Sequence, residues 1–505
     1  LISTGHLAKA EVGVPMREAV QALRNAVKLG SSLVLTWAVA LGVRVLLPRY
    51  LGPEQFGPLS FSESFTTTTF VLLGLGLDVY IRKEVPVRRD HASEFFGGVS
   101  LLRLFLAGLL IAAAMGILAA SGRPRLVQQM VLAFAAAQCF MVLNTSMAAL
   151  LQAQGHVGGL SITSVAGKLL WGAGILICMI LGFGLVAVPL TLLGSEILKS
   201  AALLSLTRKH LKLRFQFDLR ATKTVIVKSL PFYLNTVAFT AYSTLGVSLL
   251  TFQVNRDEEV GWYGAATNLA GLALLMTPLI GWVLMPLYSK AAARSDQELT
   301  AALRRTLELV LTLAVPISLM LSVGADVWIP AMFGREFVPA TLSLRLLAPM
   351  FVLTYMASVC GIGLIMLDRG WRVTLISLGS LVLNTLLNLV LIRPGLSLLG
   401  PGGGGAGCAL AQILTEAAAA GAMVTSLGGR AFDRRSATTL CKSLAACGAV
   451  VLLDRLVGAL GPARLALDLA AYLALATWMG AIPVRQILQL TRSALSRHEA
   501  SALPS

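Results

Sequence analysis

Apolar residues recur along this chain in about fourteen stretches of roughly 20 residues, the length that a helix rising about 1.5 Å per residue needs to cross the hydrocarbon core of a bilayer. Their approximate bounds are 30–48, 58–81, 96–119, 126–151, 160–181, 184–206, 226–251, 263–288, 307–329, 342–366, 373–392, 406–427, 438–458 and 465–484. Short loops separate them. The pattern predicts an all-α polytopic membrane protein with about 14 transmembrane helices. Ahead of the first stretch, residues 16–29 place Val20, Leu23 and Val27 on one helical face and Arg17, Gln21, Arg24 and Lys28 on the other. This segment reads either as a short helix on the inner membrane surface or as an ordinary solvated lead-in, with Met16 a candidate start.

Charge sharpens the picture. The 505 residues are 56% hydrophobic and only 13% charged, a balance that suits lipid as the solvent rather than one water-soluble core. A formal net charge of +17 would point to nucleic acid in a soluble chain, but here the Lys and Arg gather at the ends of the apolar stretches, so no nucleic-acid partner is expected. With the N-terminus inside, roughly 28 basic residues face the cytoplasm against about ten outside, which predicts that both termini are cytosolic. The cytoplasmic set includes Arg82, Lys83, Arg88, Arg89, the run from Arg208 to Lys228, Arg304, Arg305 and Arg430. The cysteines Cys139, Cys178, Cys360, Cys408, Cys441 and Cys447 lie in or at the ends of apolar stretches, without metal-site or disulfide-framework spacing, and read as free thiols.

The chain also repeats itself. Glu54-Gln55-Phe56-Gly57 leads into the second stretch as Glu258-Glu259-Val260-Gly261 leads into the eighth. Gly184-Leu185-Val186-Ala187 with Ser195-Glu196 matches Gly404-Gly405-Ala406-Gly407 with Thr415-Glu416. Both matches are displaced by six spans. Because six is even, the copies keep one orientation, which predicts two six-helix lobes related by a pseudo-two-fold axis along the membrane normal, around a cleft. The expected organisation is a cytoplasmic N-terminal segment (1–29), an N-lobe (30–206), a basic cytoplasmic linker (207–225), a C-lobe (226–428), two further spans (429–488) and a cytoplasmic tail (489–505).

At these residues a family resemblance emerges. Arg49-Tyr50-Leu51-Gly52-Pro53-Glu54-Gln55-Phe56-Gly57, followed by Gly74-Leu75-Gly76-Leu77-Asp78-Val79-Tyr80-Ile81-Arg82-Lys83-Glu84, resembles the opening of the Wzx-like polysaccharide flippases. These belong to the multidrug, oligosaccharidyl-lipid and polysaccharide exporter superfamily. Val260-Gly261-Trp262-Tyr263, Phe333-Gly334-Arg335-Glu336-Phe337 and the run from Asn384 to Asn388 are similar to that family's second half, although the turn at Gly400–Gly405 is longer and richer in glycine than the family usually shows. The resemblance implies a bacterial inner-membrane protein that turns an undecaprenyl-diphosphate-linked oligosaccharide from the cytoplasmic to the periplasmic leaflet by alternating access. It also implies a cation-lined cavity drawn chiefly from spans one, two, seven and eight. A polysaccharide polymerase is a candidate partner, beside membrane lipids and the lipid-linked cargo.

Charges within the spans are the candidate functional residues, because each costs about 2.5–3.5 kcal/mol at mid-membrane unless it has a partner, water or a role. Arg44 and Lys168 are assigned to an anionic head group, and Glu63, Asp78 and Glu416 to exchange of a proton or cation. Only Arg44 maps onto the spans that the resemblance favours. Lys168 and Glu416 lie nearest mid-membrane without an evident local partner, whereas Asp78 has one in Arg82. Arg44, Arg103 and Arg345 sit within two turns of a span end, from which a long stem snorkels, and Glu196 with Lys199 is expected to form a pair on one helix. Among uncharged polar residues, Asn235 and Asn268 are retained as sugar-binding candidates, while Thr66–Thr69, Asn144, Tyr242, Asn384 and Asn388 serve equally well as helix-to-helix hydrogen bonds.

The chain holds no P-loop, dinucleotide fingerprint or closely spaced His and carboxylate cluster, so no cofactor or metal is expected, and no soluble domain offers room for an enzyme. A flippase for a lipid-linked glycan is the function expected. A lipid II flippase and a cation-coupled multidrug exporter are the alternatives.

Overall fold

The computed structural model describes residues 7–76, 91–153, 157–211, 219–272 and 277–481. Among the described residues there is no strand, and ten helical segments are long and apolar enough to cross a membrane. Helix α1 (Leu7–Phe70) carries the first two predicted spans, and Gly52 divides it with φ 71° and ψ 170°. A side chain at that φ would be strained, so glycine marks the break, and Pro53 reopens the helix where its missing N–H costs nothing.

Helices α2 (His91–Ala120), α3 (Arg125–Ala153), α4 (Val157–Leu181) and α5 (Ala187–Leu211) fall on predicted spans three to six, and α6 (Leu219–Gln253) on the seventh. The eighth is carried by α7 (Asp257–Leu272) and α8 (Thr277–Arg294). Then follow α9 (Asp296–Val323), α10 (Ala325–Phe333), α11 (Thr341–Leu347), α12 (Met350–Met366), α13 (Gly370–Leu399), α14 (Gly403–Leu427), α15 (Arg434–Val457) and α16 (Arg464–Trp478).

Helix α9 illustrates why such elements form where they do. The Ser295 hydroxyl accepts a hydrogen bond from the Glu298 amide at 3.1 Å, capping a free donor of the first turn. Leu299, Leu303, Leu307 and Leu311, four residues apart, bury one continuous stripe.

Contacts divide the chain into two compact units, Leu1–Gly264 and Ala265–Ser505. In the first, α1 packs on α3, α4 and α6, and α5 packs on α3 and α4. Ser64 donates to the Thr244 carbonyl at 2.6 Å and the Thr68 and Thr244 hydroxyls meet at 2.7 Å, so small hydroxylated residues fasten α1 to α6. This seam, together with contacts at the start of α7, draws residues 219–264 into the first unit. In the second unit, Leu284, Tyr288, Leu303, Leu307, Val359, Leu364 and Val373 form a buried core. The glycine-rich run has a packing role there: Gly403 and Gly407 of α14 lie against the backbone of Gly395 and Leu391 of α13, closer than any side chain would allow.

Candidate functional site

Three helices of the first unit bring the charged candidates together. Arg44 precedes the bend in α1 and Glu63 follows it; Lys168 lies midway along α4; Glu196 and Lys199 sit one turn apart on α5. Close approach is possible because Gly172 of α4 takes the Val39 side chain of α1 against its backbone and Gly167 lies beside the stem of Lys199. The charges of Glu196, Lys199, Glu63 and Arg44 all act on the Lys168 ammonium.

Lys168 has a local partner on its own helix. Its Nζ sits 3.9 Å from the ring centroid of Trp171, three residues on, where the ring quadrupole attracts the cation. Glu196 and Lys199 pair at 3.5 Å, as their spacing predicts. Asn144 of α3 fixes that carboxylate, donating to Glu196 Oε2 at 2.7 Å and to its carbonyl at 3.0 Å, while Ser200 donates to Asn144 Oδ1 at 2.7 Å. Lys168 and Arg44 are half-buried and Glu63 is exposed. Three cations therefore face two carboxylates, and one of those carboxylates is already held by an amide and an ammonium. The residual positive charge suits an anionic ligand.

An open cavity of about 520 Å³ lies between α1 and α4, lined by Ser31, Leu35, Ser161, Ile162, Val165 and Leu169 among others. Its walls are mostly apolar, so it suits hydrocarbon rather than sugar.

A second polar assembly holds the end of the second span. The turn at Val71–Gly74 and the left-handed Leu75 (φ 51°) end the helix and leave its last carbonyls without intrahelical donors. Side chains from elsewhere supply them. Tyr233 donates to Leu72 O at 3.0 Å, Arg103 to Leu73 O at 2.9 Å and Gly74 O at 2.8 Å, and Ser229 to Leu75 O at 3.0 Å. Arg103 also donates to Ser146 at 2.6 Å. The snorkelling expected of Arg103 is therefore corrected: it is 5% exposed and its guanidinium is spent on two backbone carbonyls and the Ser146 hydroxyl. Arg345, by contrast, is 46% exposed and pairs with Asp326 at 3.1 Å.

The remaining candidates lie on other elements or outside the described residues. Asn235 is half-buried on α6, one turn beyond Pro231. Asn268 lies on α7 in the second unit, and Asp78 lies outside the described residues. Glu416 is 1% exposed in a polar network between α13 and α14. There Gln412 donates to Glu416 Oε1 at 3.3 Å, Asn384 donates to Gln412 Oε1 at 3.1 Å and to Thr415 at 3.3 Å, and Asn388 donates to Asn384 Oδ1 at 2.9 Å. Among the described residues no group of three or more His, Cys, Asp or Glu is placed to hold a metal ion. Sequence reasoning missed Trp171 and the role of Asn144. The i, i+3 spacing of Lys168 and Trp171 was the available signal for the first; the second depends on how α3 meets α5.

Comparisons with known proteins agree with the resemblance. The family model described as polysaccharide biosynthesis protein matches residues 22–292. Among solved structures, the lipid II flippase MurJ in an inward closed conformation superposes with a TM-score of 0.66 at 12% identity, covering 92% of this chain and 100% of the other. An inward-facing multidrug resistance MATE family transporter of the MOP superfamily gives 0.62 at 16% identity, covering 78% and 94%. A Vibrio cholerae MATE transporter gives 0.55 at 15% identity, covering 81% and 98%. No curated protein matches the chain.

Proposed function

Because this chain belongs to the polysaccharide biosynthesis protein family and has the fold of MOP superfamily transporters, we propose that it is a flippase for an undecaprenyl-diphosphate-linked oligosaccharide. It carries the repeat unit of a surface polysaccharide such as O-antigen from the cytoplasmic to the periplasmic leaflet of a bacterial inner membrane, and makes no covalent change to it. The physical need is plain. Each hydroxyl or phosphate dragged bare through hydrocarbon costs several kcal/mol, whereas a polar path lets the lipid tail stay in the bilayer.

The observation that carries this reading is the set of charges around Lys168, in which Arg44, Lys168 and Lys199 outnumber Glu63 and Glu196 within membrane-crossing helices. In this reading Arg44 and Lys168 hold the diphosphate, Asn235 and Asn268 bond the sugar, and Glu63, Asp78 or Glu416 exchanges the coupling proton or cation. Fourteen spans in two six-helix lobes (30–206 and 226–428) plus two C-terminal spans, with both termini cytosolic, complete the proposal. A polysaccharide polymerase is the natural partner on the receiving side. The description of the family favours this cargo over the cell-wall precursor named for the MurJ neighbour.

The test is surface glycan display in a deletion strain complemented at matched protein levels. Arg44→Ala and Lys168→Ala are each expected to abolish display while Lys168→Arg retains it. Unchanged display with both alanine variants overturns the assignment.

A further inference from the structure

The last two helices hold a group of charges that no part of the transport reading uses. Arg464 opens α16 and reaches two ways: its Nη2 donates to Asp326 of α10 at 2.6 and 2.7 Å, and its Nε lies 3.0 Å from Asp454 Oδ1 of α15. Arg345 of α11 also pairs with Asp326, at 3.1 Å. One turn along α16, Asp468 points at Asp454, and the two carboxyls lie within hydrogen-bonding reach of one another.

Asp468 is fully buried, and neither of its oxygens finds a hydrogen-bond donor among the described residues. The surrounding elements offer little relief. Helix α9 contributes the apolar Val315, Leu319 and Val323, and Tyr472 of α16 is engaged with Ser443 of α15. Among the described residues, the charges gathered around the pair are Asp326, Asp454 and Asp468 against Arg345 and Arg464. Three carboxylates and two guanidiniums leave one negative charge uncompensated, and two acceptor carboxylates facing each other have no hydrogen between them. A buried like-charge pair of this kind is relieved when a single proton is shared across it.

We propose that Asp454 and Asp468 share one exchangeable proton, making the α15–α16 hairpin a proton-binding site distinct from the Lys168 cluster. Protonation leaves Arg464 to bridge the pair and Asp326 in a neutral assembly. Loss of the proton restores the uncompensated charge at the point where the hairpin is tied to α10 and α11. Asp454, with a side chain 15% exposed, is the route by which the proton reaches solvent.

The site can be tested without any transport assay. The full-length protein in lipid nanodiscs is titrated from acid to alkaline pH while the carbonyl stretch of protonated carboxyls is followed by infrared difference spectroscopy. The wild type is expected to lose one protonated carboxyl on alkaline titration that is missing from Asp468→Asn at every pH. Should Asp468→Asn fail to fold, Asp454→Asn serves, because the shared proton needs both carboxyls. An unchanged count of protonated carboxyls in the folded variant overturns the proposal. So does a wild type without that signal whose melting temperature rises with sodium, a result that assigns a monovalent cation instead.

Discussion

Gly57 and Gly261 stand in a reciprocal relationship: a side chain on Gly57 would collide with the carbonyl of Asp257, and one on Gly261 would collide with the carbonyl of Pro53. Each glycine lies four residues after the carbonyl that the other meets, so the two motifs that repeat in the sequence also face each other through a local two-fold relation. Gly264 against Ser60 continues the same register. Alanine at either position would gain about 1 kcal/mol of helix propensity but force two backbones apart at a cost of about 1–3 kcal/mol or more. Gly57→Ala and Gly261→Ala are each expected to lower the melting temperature in detergent. The double variant should fall little further than either single one, because both open the same seam. Additive losses would mean that the two contacts are independent.

The carbonyls at the end of the second span predict a different failure. Arg103→Met keeps much of the volume but strips donors from Leu73 O, Gly74 O and Ser146, leaving buried acceptors unsatisfied at about 2–4 kcal/mol. Fluorescence-detected size exclusion after mild heating should show a marked loss of monodisperse protein. Arg103→Lys should rescue it poorly, since an ammonium cannot span both carbonyls with a planar fork.

At the Lys168 cluster, the ring of Trp171 holds the ammonium in place. Trp171→Leu removes an interaction of about 0.5–2 kcal/mol while preserving an apolar side chain. Glycan display is expected to fall without disappearing, and to fall less than in Lys168→Ala. Equal loss in the two variants would show that the tryptophan does more than seat the amine.

Glu416 separates structural from coupling roles. Glu416→Gln can still accept from Gln412 in the α13–α14 network, so the folded level should stay near wild type. A coupling role predicts slow transport at that unchanged level, measured as glycan display over time. Wild-type rates would leave Glu416 as a packing residue only.

Asp257 lies outside the membrane spans at the helix start that meets Gly57. Partial burial pushes its carboxyl above the ordinary value of 3.8; Arg123 opposes the rise and Glu54 adds to it. A carboxyl raised on folding is fully accommodated below its ordinary value, and its contribution is lost as pH climbs from there through the folded value. Melting temperatures of the wild type should therefore decline across that acidic window, and Asp257→Asn should flatten the decline. A decline of equal slope in the variant would place its origin elsewhere.

Much of this molecule is legible without coordinates, and the reason is local. The bilayer imposes one length and one apolarity on every crossing element, so helices such as α3, α9 and α13 announce themselves in a window of about 20 residues. Glycine and proline punctuate them just as locally, as at Gly52-Pro53. The Glu196–Lys199 pair needed only the pitch of a helix to be foreseen.

Composition and spacing alone thus establish the helical class, where many of the helices lie and which apolar stretches carry charged residues. What becomes of each charge is a property of packing. Arg103 spends its guanidinium on carbonyls some thirty residues away in sequence, Glu196 meets Asn144 across a helix boundary, and Asp468 faces Asp454 only because α15 folds back on α16. A buried charge is stabilised by whichever donors or counter-charges come within a few ångströms, and that distance is set by the approach of helices distant in the chain.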